Sequence, residues 1–241
     1  MHLQNKKNNF KGKKDIFKKY ERLIDILKDM ESVVLAYSGG VDSTLVLKAI
    51  KDSGIRHLAV TASSETISES ELKFAKNMAK DLDANLRIIY TEELNNLYFT
   101  ENPKNRCFYC KDELFSKLTE IANSEGYRFV IDGNNFDDIS DWRPGRKAAE
   151  KYGVRSPLIE VGLTKAEIRE LSKNKGLATW AKPASPCLSS RFPYGVKITR
   201  EALKKIELSE EFLKQLGFDE LRVRYHNDLA KIELTERDIN R

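Results

Sequence analysis

Long apolar runs are missing from this sequence. None approaches the roughly 18 residues that a membrane-spanning helix requires, and 33% of the chain is charged with a mean hydropathy of −0.54. No membrane partner is expected. Cysteine is scarce, with three in 241 residues, and an odd, low count argues against a disulfide framework and towards metal binding or catalysis in a reducing compartment. Histidine is equally scarce. An apolar leader with a small-residue cleavage site is also lacking, so a cytoplasmic location is expected. There are no internal repeats and no low-complexity tracts. A chain of this length buries a sufficient core unaided, so any metal would serve function rather than folding.

What is present in excess is positive charge, and it is unevenly placed. The net charge of +5 is concentrated in residues 6–19, which carry seven lysines against the single acid Asp15. Residues 1–19 are expected to form a basic, solvated tail. Arginine and aromatic residues do not alternate there, and nucleic acid is not the expected partner.

Apolar periodicity along residues 20–180 alternates strands and helices. Strands are expected at 32–37, 57–61, 86–90 and 128–132, with a short fifth around Pro157. Helices are expected at 41–52, 68–82, 107–124, 144–151 and 164–175, Ser68 standing three residues before Glu71 in capping-box spacing. This pattern predicts an α/β fold, a doubly wound parallel sheet whose ligand lies beyond the carboxyl ends of the strands. Residues 181–198 hold three prolines and read as a functional loop. Residues 199–241 read as a small α+β region of one helix and two strands, too small to stand alone.

The strongest local signal is Ser38-Gly39-Gly40-Val41-Asp42-Ser43, between a buried strand and a helix start. Free backbone N–H groups and the helix dipole make such a turn an anion site. Glycines admit the phosphate closely and serine hydroxyls add donors, but the lysine of a Walker loop is missing. Asp42 would repel phosphate unless a divalent cation intervened, which makes it a magnesium contact. The second signal is Cys107 and Cys110, one helical turn apart at a helix start, with Cys187 far along the chain. The dipole is expected to lower the pKa of the first pair. His2, His57 and His226 are poorly placed to close a zinc site. Three thiolates and no fourth ligand fit an iron-sulfur cluster with an open iron; thiol redox chemistry, a structural zinc and buried structural cysteines are the other readings.

The loop SGGVDS after the first strand resembles the PP-loop ATP pyrophosphatase superfamily, which implies adenylation of a substrate oxygen by ATP with release of pyrophosphate. The resemblance implies that Thr61 and Ala62, ending the second strand, lie by the nucleotide and that Gly133 lines the adenylation site. The segments LAYSGGVDSTLV, ENPKNRCFYCKDELF, DGNNFDDISDWRPGRKAAEKYGVRSPL and PASPCLSSRFPYG, followed by LRVRYHNDLAKIE, together resemble the LarE family of ATP-dependent sulfur transferases of nickel-pincer nucleotide biosynthesis. The match spans nearly the whole chain beyond the tail.

That resemblance implies a substrate, pyridinium-3,5-biscarboxylic acid mononucleotide, whose carboxylates are adenylated and converted to thiocarboxylates. It implies ATP and Mg2+ as cofactors and either of two sulfur sources. One is a cysteine, here Cys187, that gives up its own sulfur once. The other is sulfide carried on the open iron of a 4Fe-4S cluster held by Cys107, Cys110 and Cys187, and the presence of all three favours it. Lys111, Arg143, Arg146 and Arg191 are candidates to hold the anions, Arg191 foremost because it shares the loop of Cys187. Glu210, Arg222 and Glu233 correspond to residues near the substrate phosphate and a divalent ion, and Trp142 or Trp180 could stack on the pyridinium ring. A sulfide donor, a downstream nickel-inserting protein and a homo-oligomer are the implied partners. The competing functions are a PP-loop tRNA thiolase and a module that binds nucleotide and cluster without turnover.

Overall fold

The computed structural model describes residues 2–141, 143–227 and 229–239, with side chains described from Asp15 onward. Its centre is a parallel sheet of β1 (Ser32–Ala36), β2 (Arg56–Ser63), β3 (Leu86–Tyr90) and β4 (Phe129–Ile131), in the spatial order β3-β2-β1-β4. Leu35 stands between Ala59 and Ile131 in the register. Apolar side chains on both faces of β1 explain why its sequence is a continuous apolar run rather than an alternating one. Val33 and Leu35 face a core shared with α1 (His2–Met30), α2 (Val41–Ser53), α3 (Glu69–Asp81) and α8 (Lys165–Asn174). Val34 faces the opposite core, with Phe115 and Leu118 of α5 (Arg106–Glu125) and Ala148 of α6 (Gly145–Lys151). The expected doubly wound arrangement is therefore present.

Three expectations change. The expected boundary between residues 19 and 20 falls inside α1, where Ile16 and Tyr20 are both buried and Lys19 Nζ donates to Gly162 O at 2.8 Å. Lys19 Nζ also pairs with Glu167, so apolar spacing in the second half of the basic stretch fixes it to the body. The side chains of the lysines at 6–14 lie outside the described residues. The fifth strand around Pro157 is instead the short helix α7 (Pro157–Glu160). Proline at a first helical position has its φ preset and its missing N–H costs nothing, whereas a ladder would need that donor. Among the described residues the sheet gains one isolated parallel bridge here, Ile131 to Arg155. Finally, the polar stretch before Pro103 contains a helical turn at Glu93–Asn95 and α4 (Leu97–Thr100), started by the Asn96 side chain accepting from Tyr98 N.

After α8, residues 182–187 run without helix or strand into a turn at Leu188–Arg191. Then α9 (Arg200–Gln215) leads to an antiparallel hairpin of β5 (Leu221–His226) and β6 (Leu229–Leu234). A third core joins these parts to the main body: Leu188 and Phe192 from the loop, Leu203 and Ile206 from α9, Phe99 from α4, with Tyr109, Cys110 and Tyr225 packed against it. No helix of the described residues is long and apolar enough to cross a membrane.

Candidate active site

Strand order reverses between β1 and β4, since the chain builds outward from β1 to β3 and returns to its other side. In open α/β sheets the crevice at that reversal, beyond the carboxyl ends, takes the ligand. The Ser38-Gly39-Gly40 turn leaves β1 there. Gly39 has φ of +69°, and a Cβ on it would lie 2.7 Å from the Cα of Ala75 in α3, so only glycine fits. Gly40 caps α2 with no side-chain hydrogen bond, leaving first-turn N–H groups of α2 for a ligand. The Ser38 and Ser43 hydroxyls lie 3.1 Å apart across the turn. Opposite, Gly133 follows β4 so closely that a Cβ would come 2.9 Å from Ser43 N. Thr61 Oγ1 donates to Tyr37 O at 2.8 Å and pins the end of β1.

Asp42, in the first turn of α2, accepts from Lys165 Nζ on Oδ2 at 2.5 Å, while its buried Oδ1 has no hydrogen-bond partner among the described residues. Burial raises its pKa, and Lys165 opposes the rise. Asp132 at the end of β4 is likewise raised by burial, against hydrogen bonds from Ser156 and Asn134. The loop has no lysine of its own, but Lys182 arrives from the start of the proline-rich segment. Its Nζ donates to Glu71 Oε2 at 2.7 Å, lies 3.5 Å from Gly39 O and sits 3.7 Å over the Phe74 ring. Glu71 thus serves Lys182, while Ser68 still accepts from Glu71 N to start α3.

A cavity of about 300 Å³ is lined by Ser38, Thr61, Ala62, Cys107, Cys110 and Cys187 together. Residues about 80 positions apart in sequence meet because α5 starts beneath the loop that carries Cys187, and Leu188 N is tied to Thr66 O at 2.8 Å. The expected lowering of pKa by the dipole does not hold for Cys110. Burial and the nearby Glu93 carboxylate push its thiol well up, and its Sγ donates to Glu93 Oε1 at 3.4 Å. Burial also raises Cys187, with Arg106 opposing. Cys107 is exposed. Among the described residues no three His, Cys, Asp or Glu side chains converge as they would on a single metal ion. A cubane cluster differs, because each thiolate binds a different iron and the sulfurs stand around a space rather than a point. Three thiols on the wall of one cavity suit that donor set.

Arg106 was not singled out in the sequence. It is 6% exposed, lines the same cavity and bonds Asn102 Oδ1. Its signal was weak, an arginine beside the first cysteine. Lys111 and Cys107 also line an adjoining cavity of about 330 Å³ with Arg143, Arg146 and Asn134. Arg143 pairs with Asp138 at 2.6 Å and Arg146 Nη1 donates to Ile139 O at 3.3 Å.

Arg191 and Glu210, expected as separate ligand contacts, form one buried bidentate pair with both N–O distances at 2.9 Å. Arg191 Nη1 also donates to Pro186 O at 2.6 Å and to Cys187 O at 3.3 Å, while Glu210 Oε1 accepts from Val223 N. These contacts brace the cysteine loop. Arg191, Glu210, Arg222 and Glu233 do share the wall of one cleft with Lys182 and Ser185. Arg222 and Glu233 are register partners in the hairpin, but Glu233 is bound by Arg224 Nε at 3.0 Å. Trp180 already has a cation over its ring, Lys173 Nζ at 4.5 Å. Trp142 lies outside the described residues.

A parallel sheet with an SGG loop at its switch point defines a PP-loop type α/β protein. In agreement, the structure is similar to the NMN synthetase of Francisella tularensis, with a TM-score of 0.58 over 83% of this chain and 86% of that one, at 17% identity. No family model matches the chain. In sequence, it is 40% identical over 216 residues to the pyridinium-3,5-bisthiocarboxylic acid mononucleotide synthase of Lactiplantibacillus plantarum, covering 89% of this chain and 78% of the relative. It is 44% identical to an uncharacterised protein of Synechocystis over 92% of this chain and 83% of that protein. The probable tRNA sulfurtransferase of Methanothermobacter thermautotrophicus is 27% identical over 74% of this chain and 50% of its own length. The chain belongs to the LarE family of PP-loop sulfur transferases.

Proposed function

We propose that this enzyme uses ATP to adenylate the carboxylates of pyridinium-3,5-biscarboxylic acid mononucleotide and replaces the activated oxygen with sulfur delivered at the three cysteines. The observation that carries the reading is one cavity whose wall includes Ser38 of the anion loop, Thr61 and Ala62 near the end of β2, and all three thiols.

The α2 N-terminus and the Ser38 and Ser43 hydroxyls receive the pyrophosphate portion of ATP, with Gly39 and Gly133 admitting it closely. Lys182 and Lys165 flank this site and offset the charge that builds on departing pyrophosphate. Asp42 Oδ1, a buried acceptor without a donor among the described residues, would hold a magnesium ion, whose charge would offset that of the phosphates. Thr61 and Ala62 at the end of β2 border the adenosine. Lys111, Arg143 and Arg146 border the side where Cys107 is shared between the two cavities, and they are placed to hold the substrate's anionic groups. Arg191 and Glu210 are positioning residues, fixing the loop that presents Cys187.

A 4Fe-4S cluster on Cys107, Cys110 and Cys187 would supply renewable sulfide at its open iron. The sacrificial route needs Cys187 alone and leaves Cys107 and Cys110 without a task in the cavity. The reading is tested by mixing enzyme, ATP and the dicarboxylate nucleotide and following pyrophosphate and nucleotide mass. Pyrophosphate release that depends on the nucleotide, with product in which sulfur replaces oxygen, is expected. Nucleotide-independent release, or release stimulated by tRNA instead, would overturn it.

A further inference from the structure

One carboxylate in the cavity has no part in the reaction outlined above. Glu93, in the helical turn between β3 and α4, is 4% exposed and lines the cavity with Cys107, Cys110 and Cys187. Its Oε1 is held twice, by Thr91 Oγ1 at 3.1 Å and by Cys110 Sγ at 3.4 Å. Its Oε2 is buried and has no hydrogen-bond partner among the described residues. A buried acceptor without a donor is costly to keep, and one on the wall of a cavity that three thiols also line calls for a cation.

We propose that Glu93 is the fourth protein ligand of the metal centre held by the three cysteines, its carboxylate occupying the iron that they leave open. The proposal rests on the cluster reading and adds to it a residue of different chemistry. A carboxylate oxygen is a suitable iron donor and a weaker partner than sulfide for a thiolate-bound iron. Once Cys110 is a metal thiolate it has no S–H to donate, and Oε1 then keeps only its bond from Thr91. Thr91 keeps the carboxylate anchored as it turns. Loading sulfide is a ligand exchange: the iron–oxygen bond breaks with its electron pair remaining on Glu93, and hydrosulfide supplies the pair for the iron–sulfur bond. No electron changes hands. Between turnovers Glu93 shields the open iron from water and oxidants.

The test uses the whole chain, reconstituted without oxygen with sulfide and isotopically enriched iron, read by Mössbauer spectroscopy. For the parent, about four irons per chain are expected, one distinct from the other three and losing its distinctness as sodium sulfide is added. Glu93→Gln should retain its iron through the cysteines, show an altered signal for the distinct iron and take up sulfide at severalfold lower concentration. Glu93→Asp, which keeps the charge but shortens the reach, should alter the same signal. Four equivalent irons in the parent before sulfide is added would overturn the proposal, as would spectra and sulfide titrations unchanged in both variants. A parent that takes up no iron removes the cluster reading itself, and Glu93's role with it.

Discussion

The three thiols share a cavity but not an environment, and this sets their reactivity. Cys107 is exposed, whereas burial raises Cys110 and Cys187 away from the thiolate form that reacts. In metal-free reduced protein, iodoacetamide should therefore modify Cys107 first, with the other two trailing, as followed by peptide mass spectrometry. Equal rates, or Cys187 leading, would contradict the environments described. Asp42 raises a different question. Burial favours its protonated form in the folded state, so its ionisation costs stability, and that cost grows as pH rises through the raised pKa. Asp42→Asn should accordingly melt higher than the parent at neutral pH, and the difference should shrink as pH falls through that range. The same variant should lose most pyrophosphate release, because the acceptor offered to magnesium is gone. A variant that melts lower at neutral pH, or that adenylates normally, would refute the corresponding half of the argument.

At the scale of elements, the turn Leu188–Arg191 is held by α9 through one ion pair. Arg191 and Glu210 are both almost fully buried, and breaking such a pair strands a charge. Glu210→Gln should cost about 3 kcal/mol in urea unfolding. Arg191→Met should cost a similar amount, and the double variant far less than the sum, since neither charge is then left alone. Additive losses would mean that the two do not act as a brace. The contact between β4 and α2 is equally demanding. Gly133→Ala places a methyl 2.9 Å from backbone Ser43 N, and it should lose about 1–3 kcal/mol of stability together with ATP affinity, measured by calorimetry. An alanine variant that binds ATP as the parent does would show that β4 need not press on the loop.

For the molecule as a whole, the sheet and the loop were legible because their signals are local. Buried parallel strands read as apolar runs, and the SGG turn with its helix start carries its own chemistry in adjacent residues. Three apolar residues in succession at Pro157 fit a strand and a helical turn alike, and the unused ladder position separates them. Residues 16–20 were hidden by charge: the lysines mask the spacing of Ile16, Tyr20 and Leu23 that fixes α1 to the core. What no sequence pattern could deliver was convergence. Lys182 reaches the loop across 143 positions, and Arg191 finds Glu210 across 19. Glu93 meets Cys110 only because α4 and α5 fold back over the strand ends. Such pairings follow from packing, which brings distant residues together without leaving a periodic trace.

In the proposed mechanism adenylation and sulfur delivery share one cavity, with the three cysteines as a single renewable centre. The direct measurement is iron and acid-labile sulfide in protein prepared without oxygen, with thiolated nucleotide counted per chain, for the parent and Cys110→Ser. About four irons per chain, several products per chain in the presence of sulfide, and loss of both in Cys110→Ser are expected. No iron in the parent, with one product per chain and hydrogen sulfide lost from Cys187, would contradict it.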